Sequence, residues 1–163
     1  MLVGEYPWEE GHADAPGIGP IENPALARHP ATGEWLLTWS ANRWETPAYA
    51  TGLAICQGPL GPCHRVSRTS PWLRTSSDAG IITTTASFGG AGGLSFVAGP
   101  DGQLCVVFHA YSGSGQAPHA RRVGWLYRVE SDAEAEAAVD SAQGYRLVEI
   151  VGNQSAVAAV KGA

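Results

Sequence analysis

Residues 21–63 read IENPALARHPATGEWLLTWSANRWETPAYATGLAICQGPLGPC, and the fold turns on how this run is parsed. It breaks into short apolar segments separated by turn formers. ALARHP (25–30) is followed by a turn at ATGE, then by EWLLTWSA (34–41), a loop at NRWETP (42–47), AYATGLAIC (48–56) and a turn at GPLGP (58–62). Segments of this length, rich in aromatic and branched residues and bounded by Gly and Pro, read as strands joined by tight turns. A second run has the same order: GLSFVAGPDGQLCVVFHA (93–110) lies naturally beside NPALARHPATGEWLLTWS (23–40). Each has a mildly polar strand, a turn ending in Gly plus a polar residue, and a strand of large apolar groups. Asp101-Gly102 is a strong hairpin signal. An all-strand unit repeated around 21–66 and 88–130 is the pattern of propeller blades; two similar hairpins in a sandwich would give the same pattern.

Working outward, the first twenty residues read as an irregular entry loop, and residues 65–80 as polar, with one edge strand near Trp72. FGGAGG (88–93) reads as a Gly-rich loop opening the strand LSFVAG. SGSGQAPH (112–119) is a loop before the strand VGWLYRVE (123–130). SDAEAEAAVDSAQ (131–143) suits a short helix or a solvated linker, GYRLVEIV (144–151) a further strand, and the last ten residues a frayed end.

The composition agrees with an all-β chain. There are 163 residues with 21 Gly and 11 Pro, and 44% are hydrophobic against 15% charged, which excludes a disordered polyelectrolyte. Length alone predicts one domain with a real core. The net charge of −5 with no basic cluster argues against nucleic acid and against an anionic membrane. No stretch reaches the 18 or so apolar residues of a membrane span. The N-terminus has no signal-peptide pattern, so a chain starting at Met1 is expected in the cytoplasm. Cys56 and Cys63 bracket CQGPLGPC, where either a disulfide or two free thiols fits the sequence; Cys105, in LCVVFHA, reads as a buried core thiol.

Chemistry-bearing motifs are few. There is no Gly-x-Ser-x-Gly elbow, and FGGAGG lacks the Lys-Ser/Thr of a phosphate loop. The five histidines (12, 29, 64, 109, 119) show no metal-ligand spacing. Asn153-Gln154-Ser155 matches a glycosylation sequon, a triplet frequent by chance. The informative segment is Pro20-Ile21-Glu22-Asn23-Pro24. In a propeller the start of an innermost strand lies at the mouth of the central channel. A Glu there, flanked by Ile21 and backed by Trp8, Trp35 and Trp44, would be partly desolvated, which favours its protonated form near neutral pH. The plain alternative is an exposed Glu near a strand end.

These residues resemble the general-acid blade of glycoside hydrolase family 43. That family shows a strand beginning Glu-Gly-Pro or Glu-Ala-Pro, an aromatic strand ending in Ser, a Tyr-Ala-x-Gly strand and a Gly-Pro turn. The counterparts here are Glu22 and Pro24, Trp35-Leu36-Leu37-Thr38-Trp39-Ser40, Tyr49-Ala50-Thr51-Gly52, and Gly58-Pro59-Leu60-Gly61-Pro62. GGAGGLSFVAGPDGQLCVVFHAY (89–111) is similar to the family's Gly-Pro-Gly-x-x-Ser … Asp-Gly-x-Trp … Tyr-His-Ala segment. Arg121-Arg122 resembles an arginine before a late strand. The resemblance runs over about residues 7–130 and leaves 131–163 without a counterpart, so the chain divides into blades at 1–130 and a tail at 131–163.

The resemblance implies a five-bladed β-propeller hydrolysing arabinose- or xylose-containing glycans with inversion, one carboxyl acting as acid and another as base. It implies Glu22 as the general acid. Trp44 and Tyr49 become candidate platforms for a pentose ring, with core packing as the alternative. Arg122 becomes a candidate donor to sugar hydroxyls, with a plain surface charge as the alternative; His109 reads as structural. The family's base Asp and a second Asp belong to earlier blades without counterpart here, because Glu5, Glu9, Glu10 and Asp14 lie in the approach loop. A family histidine linked to a central ion in some members is Gly93 here, so no metal and no cofactor is expected. At roughly 40–50 residues per blade, five blades need roughly 200–250 residues, so the chain is expected to be a partial propeller of about two to three blades. On this reading it is a part of a secreted parent glycosidase, inactive alone, with carbohydrate as its partner. A non-catalytic carbohydrate-binding or structural remnant is the alternative.

Overall fold

The structure is a computed structural model and describes residues 4, 6–9, 21–77, 82–83, 87–113, 121–133 and 144–150. Two antiparallel meanders account for the repeat. β1 (Ile21–Arg28), β2 (Trp35–Ala41), β3 (Ala50–Cys56) and β4 (Cys63–Arg65) form one sheet in the order β1-β2-β3-β4. β5 (Ile82–Thr83), β6 (Phe88–Ala98), β7 (Leu104–Ser112), β8 (Arg122–Ser131) and β9 (Tyr145–Glu149) form the other, in the order β5-β9-β8-β7-β6. Among the described strands, only the two-residue β5 runs parallel to its neighbour, β9.

Side-chain alternation decides which way each sheet faces. In β2, Leu36 enters the main core, while Leu37, Trp39 and Ala41 turn to the opposite face. The main core joins Leu36 and Leu53 of the first sheet to Phe88, Leu94, Phe108 and Tyr127 of the second, and β6 packs across β1, β2 and β3. The molecule is therefore all-β, two stacked propeller-type sheets in which β1 and β6 each lie at an edge. On the far face of the first sheet, the 3-10 turn Pro7–Glu9 lays Trp8 against Trp39, with ring centroids 6.3 Å apart. Gly52 is needed beneath them, since a Cβ there would fall 2.4 Å from Trp39.

Two local expectations change. FGGAGG is not a loop; it is the first half of β6. The strand absorbs the glycines through two bulges, between Gly89 and Gly92 and between Gly92 and Ser95, with Gly90 and Gly93 at positive φ. The segment near Trp72 is not an edge strand. Leu73 bridges Thr51 of β3 and Thr75 bridges Gly89 of β6, so it stitches the sheets together, with Trp72 fully buried. GYRLVEIV does form a strand, β9, which pairs with β8 and closes one side of the core through Tyr145 and Leu147. The helix or linker proposed for 131–143 lies outside the described residues beyond Ala133, as do the glycosylation sequon and the final ten residues. Cys56 and Cys63, register partners across β3 and β4, are joined by a disulfide; Cys105 is free and buried.

Candidate functional site

Asn23 and Pro24 together oppose the single residue Trp39, which makes a bulge in β1 between Glu22 and Ala25. Pro24 has no N–H to lose there, and Asn23 takes φ +50°, a conformation Asn tolerates better than most residues. The bulge sets Glu22 beside Ser40 of β2. Glu22 is half-buried, and its Oε1 accepts a hydrogen bond from the Tyr49 hydroxyl at 2.6 Å. The Tyr49 oxygen in turn accepts from Asn23 Nδ2 at 3.3 Å.

Tyr49 comes from the loop before β3, and His109 from β7. Their rings stack with centroids 5.9 Å apart and planes 11° from parallel. The glycine run of β6 makes this possible: a Cβ at Gly92 would lie 2.1 Å from Tyr49 Cε1, and one at Gly93 2.3 Å from His109 Nε2. Gly93 N–H donates to Ser40 Oγ at 2.8 Å, tying β6 to the same point.

Arg122, at the start of β8, closes the network. Its Nε donates to His109 Nδ1 at 2.7 Å, one terminal nitrogen to the Trp44 carbonyl, and the other to the Gly90 and His109 carbonyls at 2.8 and 3.1 Å. Four of its five N–H groups are thus committed. Its guanidinium also lies over the Tyr49 and Tyr111 rings, 5.2 and 4.7 Å from their centroids. Burial, followed by the adjacent Arg122 charge, pushes the His109 imidazole below its usual titration range, with Glu22 opposing. Burial, then the hydrogen bond to Glu22, holds the Tyr49 phenol above its usual value, with Ser40 and Asn23 opposing.

The site residues named from sequence separate accordingly. Glu22, Tyr49, His109 and Arg122 converge. Tyr49 is 1% exposed with a face covered by His109, so it is no platform for a sugar; its hydroxyl faces Glu22. Arg122 is a clamp on protein carbonyls rather than a free donor. The Trp44 ring is 53% exposed, on a loop whose Trp44 carbonyl is held by Arg122 and by Tyr111. Asn23, Ser40, Gly92 and Gly93 escaped the sequence reading as site builders, although Asn-Pro after an acidic residue was a usable bulge signal.

Three other described carboxylates have partners of their own. Glu9 pairs with Arg65, Glu34 accepts from Tyr145, and Glu130 pairs with Arg128 and Arg146. Glu22 is the only carboxylate of this network among the described residues. A cation does not fit at Gly93: the nearest imidazole, His109, gives its Nδ1 to a guanidinium, and among the described residues no three His, Cys, Asp or Glu side chains form a cluster.

No family model and no curated protein matches the sequence. Solved structures do. A thermostable family-43 glycoside hydrolase is 24% identical with a TM-score of 0.59, over 88% of this chain and 39% of that one. An endo-1,4-beta-xylanase from Bacteroides thetaiotaomicron is 21% identical with a TM-score of 0.57, over 91% and 45%. An endo-1,5-alpha-L-arabinanase from Thermotoga petrophila is 11% identical with a TM-score of 0.53, over 85% and 31%. The chain spans less than half the length of these structures, and it has the fold of part of a family-43 glycoside hydrolase. No helix among the described residues is long and apolar enough to cross a membrane.

Proposed function

We propose that this chain carries the general acid of an inverting glycoside hydrolase acting on arabinose- or xylose-containing glycans, and that Glu22 is that acid. The observation that carries the reading is the position of Glu22 at the bulged start of the edge strand β1, with Oε1 engaged by Tyr49 and Oε2 without a partner among the described residues. A general acid needs one oxygen fixed and one facing the leaving group. Inversion also needs a carboxylate base across the sugar, roughly 6.5–9.5 Å away, with room for a water. Since Glu22 stands alone in its network, we assign the base to chain outside the described residues. The exposed Trp44 ring is the proposed platform for the sugar. On this reading the parent enzyme is secreted to meet its polysaccharide.

Leaving groups supply the test. In a longer form of the protein that contains the partner carboxylate, Glu22→Gln should lower hydrolysis of natural oligosaccharides by roughly 10²–10⁴-fold. Aryl glycosides with acidic phenols, which leave without protonation, should be affected far less. Equal loss on both substrate classes, or none on either, would remove Glu22 from the role. The 163-residue chain alone should not turn over aryl arabinosides or xylosides. A second reading, a carbohydrate-binding module without catalysis, is favoured by the same solitary carboxylate together with Trp44. It would be selected if Trp44→Ala abolished oligosaccharide binding while Glu22→Gln changed no rate in the longer form.

A further inference from the structure

We infer that Tyr49 is a positioning residue that fixes Glu22 Oε1 as the carbonyl oxygen, and so confines the transferable proton to Oε2. This deepens the reading of Glu22 as an acid and rests on it.

Hydrogen-bond direction in this network is set by a residue with no choice. Arginine only donates, so His109 Nδ1 accepts from Arg122 Nε, and the neutral imidazole carries its proton on Nε2. The other three committed N–H groups of Arg122 hold the ring's own backbone and the Gly90 and Trp44 carbonyls, which immobilises the imidazole. The Tyr49 ring lies parallel to it and passes over Gly92, where no Cβ leaves room to slide. Ring position therefore fixes hydroxyl position.

At that hydroxyl, the oxygen receives the Asn23 amide, and its single hydrogen points to Glu22 Oε1. In a protonated carboxyl group the carbonyl oxygen is a far better acceptor than the hydroxyl oxygen. A donor at 2.6 Å on Oε1 selects the form in which Oε2 bears the hydrogen. Oε2 has no partner among the described residues, so the proton stands on the oxygen available to a leaving group. The raised titration of Tyr49 keeps its hydrogen in place across the neutral range.

The experiment is infrared spectroscopy of the 163-residue chain at acid pH, with Glu22→Gln used to identify the carboxylic C=O band of Glu22. In Tyr49→Phe that band should move to higher wavenumber, because its carbonyl has lost a hydrogen bond. A band that stays in place in a folded Tyr49→Phe chain overturns the proposal. Should Tyr49→Phe fail to fold, ultraviolet titration of Glu22→Gln gives an independent readout. The Tyr49 phenol should then ionise at lower pH than in the parent chain, and an unchanged midpoint overturns the proposal. The leaving-group experiment reads acid catalysis separately. A shifted band without leaving-group dependence would retain the hydrogen bond and reject the acid.

Discussion

Two glutamates in this molecule use the same three residue types, glutamate, arginine and aromatic, to opposite ends. Glu9, on the outer face of the first sheet, is fully buried. Its Oε1 accepts from Trp39 Nε1 at 2.8 Å and from Arg65 at 2.9 Å, and its Oε2 from Arg65 at 2.8 Å and the Tyr6 N–H at 3.1 Å. Every lone pair that matters is occupied, and an arginine touches the carboxylate directly. Glu22 is half-buried and meets one phenol, and its arginine stands on the far side of that phenol, over the Tyr49 ring. A carboxylate clamped by a guanidinium is an anchor; a carboxylate separated from its arginine by neutral donors remains available for proton transfer.

Removing one partner from the anchor should have the largest effect on stability. Glu9→Ala leaves Arg65 largely buried without its counterion and should destabilise the chain by about 3–5 kcal/mol in denaturant unfolding. Substituting Glu22 should hardly move the same curve. Equal losses at the two positions would erase the distinction. Arg65 sits on β4, which the Cys56–Cys63 disulfide ties to β3. For a loop this short the chain-entropy estimate is about 2.5 kcal/mol, so reduction should loosen the anchor while the His109 ring resonances near Glu22 stay unchanged.

On the site's side, Gly92→Ala places a Cβ inside the Tyr49 ring and should cost about 1–3 kcal/mol. It should also displace the Tyr49 and His109 resonances together, whereas Glu9→Ala should not. Tyr49→Phe removes the bond to Glu22 and the longer one from Asn23, at about 0.5–1.5 kcal/mol each, so its influence on Glu22 can be read in a folded chain.

The smallest effect is in pH. The folded His109 titrates below the unfolded residue, so the unfolded chain binds more protons once pH falls toward the ordinary histidine value of 6.5; stability declines on that side. Tyr49 is shifted upward, so above its ordinary value of 10.0 the unfolded chain loses its proton first, and stability declines there as well. Denaturant midpoints should therefore show a plateau between these limits. Glu22→Gln should lower both titrations, because the carboxylate raises each of them.

Much of this was legible in the chain. The strand cores WLLTWSA and LCVVFHAY announced themselves by length, apolar content and turn punctuation, and their likeness predicted two similar sheets. FGGAGG reads as a loop in sequence because glycine marks loops and bulged strands alike. What settles it is the demand of Tyr49 and His109 for bare backbone at Gly92 and Gly93, and those residues lie 43 and more positions from Tyr49 in sequence. Glu22 could be named from its place before a strand. The roles of Tyr49 and Arg122 could not, because a buried tyrosine and a sugar platform look the same in one dimension, and so do a guanidinium free to bind and one already committed to four acceptors. Glu9 was placed in an approach loop because nothing local points 56 residues ahead to Arg65.

The bulges also bear on solubility. β1 and β6 each end a sheet, and a straight edge strand invites another chain to add on by backbone hydrogen bonding. β1 carries a proline and a left-handed asparagine near its start, and β6 carries two left-handed glycines. Neither edge offers an unbroken row of donors and acceptors. The irregularities that place Glu22 and the Tyr49–His109 stack thus also discourage strand-to-strand aggregation at these two edges.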